Sequence, residues 1–224
     1  MPEKKNTRKG RIKARLQTAR GRKTSSARWL QRQINDPYVA AAKEEGYRSR
    51  AAFKLKEIEE RYHLLEKGSH VLDLGAAPGG WSQIAKDYIG EGGKVLAIDI
   101  ADMEPIAGVE FLQLDLYEED TLQKIKDHAG GLFHAVLSDI AAPVTGHRQT
   151  DHLRTQALAE LAAEYAFSLL RPKGNFCTKV FQGGTQKELL ERLKSGFEKV
   201  IHFKPKASRK ESVEMYVLAL SRLS

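Results

Sequence analysis

The chain has 224 residues, 41% of them hydrophobic, which is enough apolar material for a folded core and excludes global disorder. Its single cysteine, Cys177, excludes an intramolecular disulfide and a thiolate zinc cluster and fits a reducing, cytoplasmic setting; no apolar run reaches the ~18 residues of a membrane-spanning helix. The net charge of +8 is concentrated in residues 1–30, where eleven cations face one acid, Glu3, leaving 26 cations against 28 acids in the other 194 residues.

A segment so basic and so poor in apolar side chains cannot offset its ordering entropy by burial, so residues 1–30 are expected to be a flexible tail that seeks a polyanion. A solubility tail and a mitochondrial transit peptide are the alternatives. The early Lys4, Lys5 and Glu3 and the lack of an apolar face argue against the transit peptide. Residues 31–224 are then the folded domain. Asp36-Pro37-Tyr38 and Gly46 mark turns, and a helix is expected from Ser49, with Ala51, Leu55, Ile58 and Tyr62 on one face.

Strands and helices alternate from there. Strands are expected at His70–Leu74, Lys94–Ile100, Val109–Leu116, Leu132–Ile140, Gly174–Phe181, Lys199–Phe203 and Glu214–Leu220. Helices fall after Gly80, at Glu118–His128, at Asp151–Leu170 with Leu153, Ala157, Leu161 and Leu169 on one side, and at Gln186–Phe197. This order predicts one doubly wound, Rossmann-like α/β sheet of seven mostly parallel strands, with helices on both faces. Ligands of such sheets sit beyond the carboxyl ends of the strands.

The loop Asp73-Leu74-Gly75-Ala76-Ala77-Pro78-Gly79-Gly80-Trp81 follows the first strand and opens a helix. It misses the dinucleotide fingerprint, because Ala77 stands where a second glycine belongs, and it misses the phosphate loop, because Trp81 replaces the lysine. An adenosine ligand without phosphates remains, and S-adenosyl-L-methionine fits. Asp99 ends the second strand, where an acid accepts from ribose hydroxyls, and Asp115 ends the third, where it could accept from the adenine amine; either alone also fits a turn cap. No His-Glu-x-x-His motif is present, and His147 and His152 are badly spaced for one helical face, so no metal is expected.

Four charged residues interrupt apolar patterns: Lys54 at the edge of a helical stripe, Asp139 at a strand end, Lys179 within a strand and Glu214 at the start of another. Each alone fits a snorkelling lysine or a surface acid. Together their charges cancel, as a compact buried cluster requires.

The segment Asp73–Gln83 resembles the first motif of the FtsJ/RrmJ family of RNA ribose 2′-O-methyltransferases, and Tyr47–Leu55 resembles that family's upstream helix. The similarity runs from about Ser26 to Leu223. The resemblance implies that Lys54, Asp139, Lys179 and Glu214 are the catalytic tetrad, with Lys179 the base that takes the ribose proton. It implies that Gly79, Trp81, Asp99, Asp115 and Asp139 hold the cofactor. A free lysine, near pKa ~10.4, is mostly protonated at neutral pH, so a base there needs its surroundings to help. The chain departs from the family's Asp-Met-Ala-Pro-Asn segment: Ile140 replaces Met, and Ala142-Pro143 replaces Pro-Asn.

Other acceptors fit poorly. Base amines call for an Asn/Asp-Pro-Pro-Tyr strand end, and cytosine carbon needs a cysteine where this chain has none, Cys177 lying inside a strand. The closest resemblance is to the bacterial branch that methylates a uridine of large-subunit ribosomal RNA, so the expected partner is ribosomal RNA in the large subunit, with the enzyme a monomer. Arg48, Arg50, Lys56, Lys204, Lys206, Arg209 and Lys210 are candidate phosphate contacts. A transfer-RNA methyltransferase, a small-molecule O-methyltransferase and a non-catalytic assembly factor are the rivals. The tail disfavours the small-molecule reading, and the complete tetrad disfavours the non-catalytic one.

Overall fold

The computed structural model describes residues 30–143, 145–183 and 187–224, so the basic tail lies almost wholly outside the described residues. Seven strands form one sheet: β1 His70–Leu74, β2 Lys94–Asp99, β3 Val109–Gln113, β4 Phe133–Ser138, β5 Leu170–Phe181, β6 Phe197–Phe203 and β7 Glu214–Arg222. The spatial order is β3-β2-β1-β4-β5-β7-β6. The first five strands are parallel, and β7 runs antiparallel to both β5 and β6.

The helices among the described residues include α1 Pro37–Glu44, α2 Ala52–Tyr62, α3 Gly80–Ile89, α4 Thr121–Ala129, α5 Arg148–Leu169 and α6 Lys187–Gly196. Each central strand is buried on both faces, as parallel strands covered by crossover helices must be. Alternation along β1 sends Leu72 and Leu74 to one core and Val71 to the other. The first core packs the sheet against α4, α5 and α6 through residues such as Ile125, Ala162 and Leu193. The second packs the opposite face against α2 and α3 through Leu55, Ile58, Trp81 and Ile84.

Strand β3 stops at Gln113 rather than Leu116, which leaves Asp115 two residues beyond its end, and three other elements differ more widely from the sequence expectation. Asp36-Pro37 reads as a turn but starts α1: the Asp36 side chain accepts from the Tyr38 amide at 3.0 Å, and Pro37 occupies the first turn, where its missing N–H costs nothing. Strand β5 begins at Leu170 rather than Gly174, and a register shift against β4 between Phe133 and Ala135 absorbs the Pro172–Gly174 stretch. On α5 the buried face is Thr155, Gln156, Ala159, Ala162, Ala163, Tyr165, Ala166 and Leu169; of the stripe expected there, only Leu169 is fully buried, and Leu153 is 62% exposed. Alanines let this helix lie close to the sheet, and its larger side chains near the amino end face elsewhere.

Candidate active site

Strand alternation and register bring the four interrupting charges together. Leu137 of β4 aligns with Cys177 of β5, so Asp139 and Lys179, each two residues further on, end on the same face. Lys179 pairs with Tyr216 across the antiparallel β5–β7 ladder, and Glu214 lies two residues before Tyr216 on that face. Helix α2 covers this face and supplies Lys54 from above.

The contacts are close. Lys54 Nζ lies 2.7 Å from Glu214 Oε1 and 3.5 Å from Asp139 Oδ2. Lys179 Nζ donates to Asp139 Oδ1 at 3.0 Å and to its backbone oxygen at 2.7 Å. The Tyr216 hydroxyl donates to Asp139 Oδ1 at 2.7 Å, and the Ser208 hydroxyl donates to Glu214 Oε1 at 3.1 Å. Both lysines are buried, so each charge depends on its partner.

Burial pushes the Asp139 carboxyl up, but Lys179, Lys54 and the Tyr216 hydroxyl outweigh it and hold the group below its ordinary range. Burial lowers the Lys54 amine, yet the Asp139 and Glu214 carboxylates overcome this and raise it. Lys54 is therefore a fixed cation. Burial, followed by the two acids, drives the Tyr216 phenol well up, so it acts as a donor.

A cleft of about 530 Å³ opens beside this cluster. Gly75, Ala77, Asp99, Asp115 and Asp139 line it, with an apolar wall that includes Ile100, Leu114, Leu116, Leu158 and Leu161. Ile100 and Tyr117 are 66% and 65% exposed on it. A side chain at Gly75 would meet Ile140 Cγ1 at 2.5 Å and Ile140 Cα at 2.9 Å, so only glycine lets the ends of β1 and β4 close here. Asp99 accepts from the Ala77 amide at 2.9 Å and the Ala101 amide at 2.8 Å, one on each oxygen. Each carboxylate oxygen keeps a further lone pair for a ligand hydroxyl. Asp115 accepts from the Tyr117 amide at 2.9 Å. A ligand with a sulfonium, an amine, a ribose diol and an adenine matches three acids and an apolar wall, so S-adenosyl-L-methionine fits this cleft.

Gly79 and Trp81 are not among the lining residues. Gly79, at φ 108°, caps α3 in a conformation that favours glycine. The Trp81 indole is buried, donates to the Ala51 oxygen at 2.9 Å and packs 5.4 Å from the Tyr216 ring. Its side chain thus supports the floor of the charged cluster rather than the cleft.

Several candidate phosphate contacts are engaged within the fold. The Arg48 guanidinium donates to the Pro78 oxygen at 3.2 Å, to Pro105 at 2.6 Å and to Glu104, so it braces the glycine loop. Arg50 and Arg209 both hold Asp36, at 3.0 and 3.4 Å. Lys56 pairs with Glu45 at 3.2 Å, and Lys204 reaches the Ser212 oxygen at 2.6 Å. Arg32, Arg50, Lys206, Arg209 and Lys210 nevertheless line a second depression, which Ser208 also borders. Among the described residues no group of three or more His, Cys, Asp or Glu could hold a metal ion, and no helix is long and apolar enough to cross a membrane.

Sequence reasoning did not single out Tyr216, Ser208 or the apolar wall. The Glu-x-Tyr spacing was the available signal for Tyr216, since period-two alternation places it beside Glu214.

A doubly wound sheet with one antiparallel strand, an adenosine-sized cleft at its carboxyl edge and a neutral cluster of two lysines and two acids defines a Rossmann-like transferase. The chain belongs to the FtsJ-like methyltransferase family, whose model matches residues 47–222. A protein of Parvibaculum lavamentivorans named ribosomal RNA large subunit methyltransferase E is 52% identical over 218 residues, covering 93% of this chain and 86% of the relative. A Brucella anthropi protein of the same name is 55% identical over 200 residues, covering 88% and 83%. Among solved structures, one from Plasmodium falciparum named as a ribosomal RNA methyltransferase superposes with a TM-score of 0.70 at 30% identity. That match covers 80% of this chain and all of the other.

Proposed function

We propose that this enzyme transfers a methyl group from S-adenosyl-L-methionine to the ribose 2′-hydroxyl of a uridine in large-subunit ribosomal RNA, acting in the cytoplasm as a monomer on the assembled subunit. The observation that carries the reading is the cluster of Lys54, Asp139, Lys179 and Glu214 on one sheet face beside the cleft. The names of the bacterial relatives supply the RNA.

The cofactor, when bound, supplies a methyl group on a positively charged sulfur. Asp99 and Asp115 would hold its adenosine end, and the apolar wall of Ile100, Leu114 and Leu116 would take the adenine. Lys179 is the base. A neutral lysine amine has two N–H bonds and one lone pair. Asp139 takes both N–H bonds, through its backbone oxygen and Oδ1. Once the ammonium has given its third proton to solvent, the lone pair is left for the hydroxyl proton. Lys54, raised by two carboxylates, is the wrong lysine for this task and instead keeps Glu214 and Asp139 paired. Holding the hydroxyl in line with the methyl carbon supplies much of the remaining rate.

Residues 1–30 act as a separate basic arm and residues 31–224 as the catalytic domain. The cations of residues 1–30 and the cation-lined depression of Arg32, Lys206 and Lys210 each offer the RNA backbone positive charge. Transfer of radiolabelled methyl to unmodified large subunits, naked ribosomal RNA and bulk transfer RNA tests the reading. Label on a ribose of the large subunit supports it. Label on transfer RNA alone keeps the mechanism and overturns the substrate. Cofactor binding without label on any acceptor overturns the enzyme reading in favour of a non-catalytic RNA-binding factor.

A further inference from the structure

Glu214 is not positioned by its strand alone. Its Oε1 lies 2.7 Å from Lys54 Nζ and 3.1 Å from the Ser208 hydroxyl, with the Tyr216 hydroxyl, which donates to Asp139, 3.5 Å away. Ser208 comes from the β6–β7 loop, six residues before Glu214, and is 4% exposed. That loop is pinned from α2. Glu57, one turn after Lys54, accepts the Lys206 amide at 2.6 Å on one carboxylate oxygen and the Ala207 amide at 2.8 Å on the other. Arg50 closes the same clamp by donating to the Ala207 oxygen while paired with Asp36.

A ring results. Helix α2 holds Glu214 directly through Lys54. It also holds Glu214 indirectly, through Glu57, the 206–207 amides and Ser208. We infer that Ser208 is a positioning residue for the methyl transfer, set by the Glu57 clamp, which fixes the Glu214 carboxylate against Lys54. Both carboxylate oxygens of Glu57 are committed to backbone N–H groups, which is a registering contact rather than a surface charge. Without the Ser208 hydroxyl, Glu214 keeps its ion pair with Lys54 and the more distant charge of Arg50, and its side chain gains freedom where in-line geometry matters.

This rests on the proposed methyl transfer, and the wild-type protein is the control for it. Single-turnover transfer to unmodified large ribosomal subunits would be measured for Ser208→Ala, Ser208→Thr, Glu57→Gln and the Ser208→Ala/Glu57→Gln pair. Calorimetric cofactor affinity and filter-binding subunit affinity would be measured alongside. Ser208→Ala should slow the chemical step roughly ten-fold, the cost of one hydrogen bond to a charged acceptor, with both affinities held within about two-fold. Ser208→Thr, which keeps the hydroxyl, should recover most of the rate. Glu57→Gln turns one acceptor into a donor facing a backbone N–H and should slow the step as well. The pair should be little worse than the worse single variant, because both act through one carboxylate. An unchanged Ser208→Ala rate, equal losses in the Ala and Thr variants, or additive losses in the pair would overturn the inference while leaving the proposed function standing. A wild-type protein without transfer would overturn both.

Discussion

The two halves of the site are built on opposite electrostatic plans. The cleft beside β1, β2 and β3 presents acids that face a ligand and are steadied by backbone N–H groups, as Asp99 is by Ala77 and Ala101. The cluster under α2 contains its own counter-ions, with each lysine closed against a carboxylate. The first arrangement leaves unmet acceptor capacity for a cationic, hydroxyl-rich ligand. The second is balanced in charge within itself. On the proposed roles binding and chemistry are separable, and among the described residues of the cluster Asp139 is the side chain that also lines the cleft.

That makes Asp139 the place where the separation should fail. Asp139→Ala strips Lys179 of its carboxylate and should destabilise the protein by about 3–5 kcal/mol, the cost of an unpaired buried charge. Chemical denaturation and single-turnover transfer would check it, and both readouts should fall together. Asp99→Ala should fall on one side only. It should weaken cofactor binding about ten-fold or more, as for loss of hydrogen bonds to a charged acceptor. Saturating cofactor should then restore most of the transfer rate, which titration in the transfer assay would show.

An effect read through pH comes from beneath the glycine loop. Asp73 is fully buried, with Oδ2 accepting the Ser82 hydroxyl at 2.6 Å and Oδ1 without a hydrogen-bond partner among the described residues. Burial, aided by Asp139 and Asp99 and opposed by Ser82, lifts its pKa to about 7. The folded state therefore binds this proton more tightly than the unfolded chain, where the group titrates near ~3.9. Its contribution to stability is full below that lower value and is lost as the pH rises through about 7. Asp73→Asn should flatten this part of the stability profile, measured by denaturant melts across that range. An unchanged slope would place the titration elsewhere.

How much of this was legible in the sequence differs between the halves. The cleft acids stand at strand ends beside a glycine loop, and that local pattern marks Asp99 and Asp115 directly. The four clustered charges are visible only as interruptions of apolar runs. Their meeting depends on the β5–β7 register and on α2 lying over that face, and no local pattern encodes either. Asp36-Pro37 serves both a turn and a helix start, so α1 was hidden by an ambiguous signal. The α5 stripe misleads because leucines draw attention, while the face that packs on the sheet is mostly alanine. Ser208 lies in a loop that gives no signal until the fold pins it.

The most direct measurement pairs cofactor calorimetry with single-turnover methyl transfer in Lys179→Ala. Lys179 touches Asp139 and does not line the cleft, so cofactor affinity should stay within about three-fold of wild type while transfer drops by about a hundred-fold or more. Transfer at near wild-type rate, or cofactor affinity lost together with transfer, would contradict the assignment of Lys179 as the base and the separation of binding from chemistry.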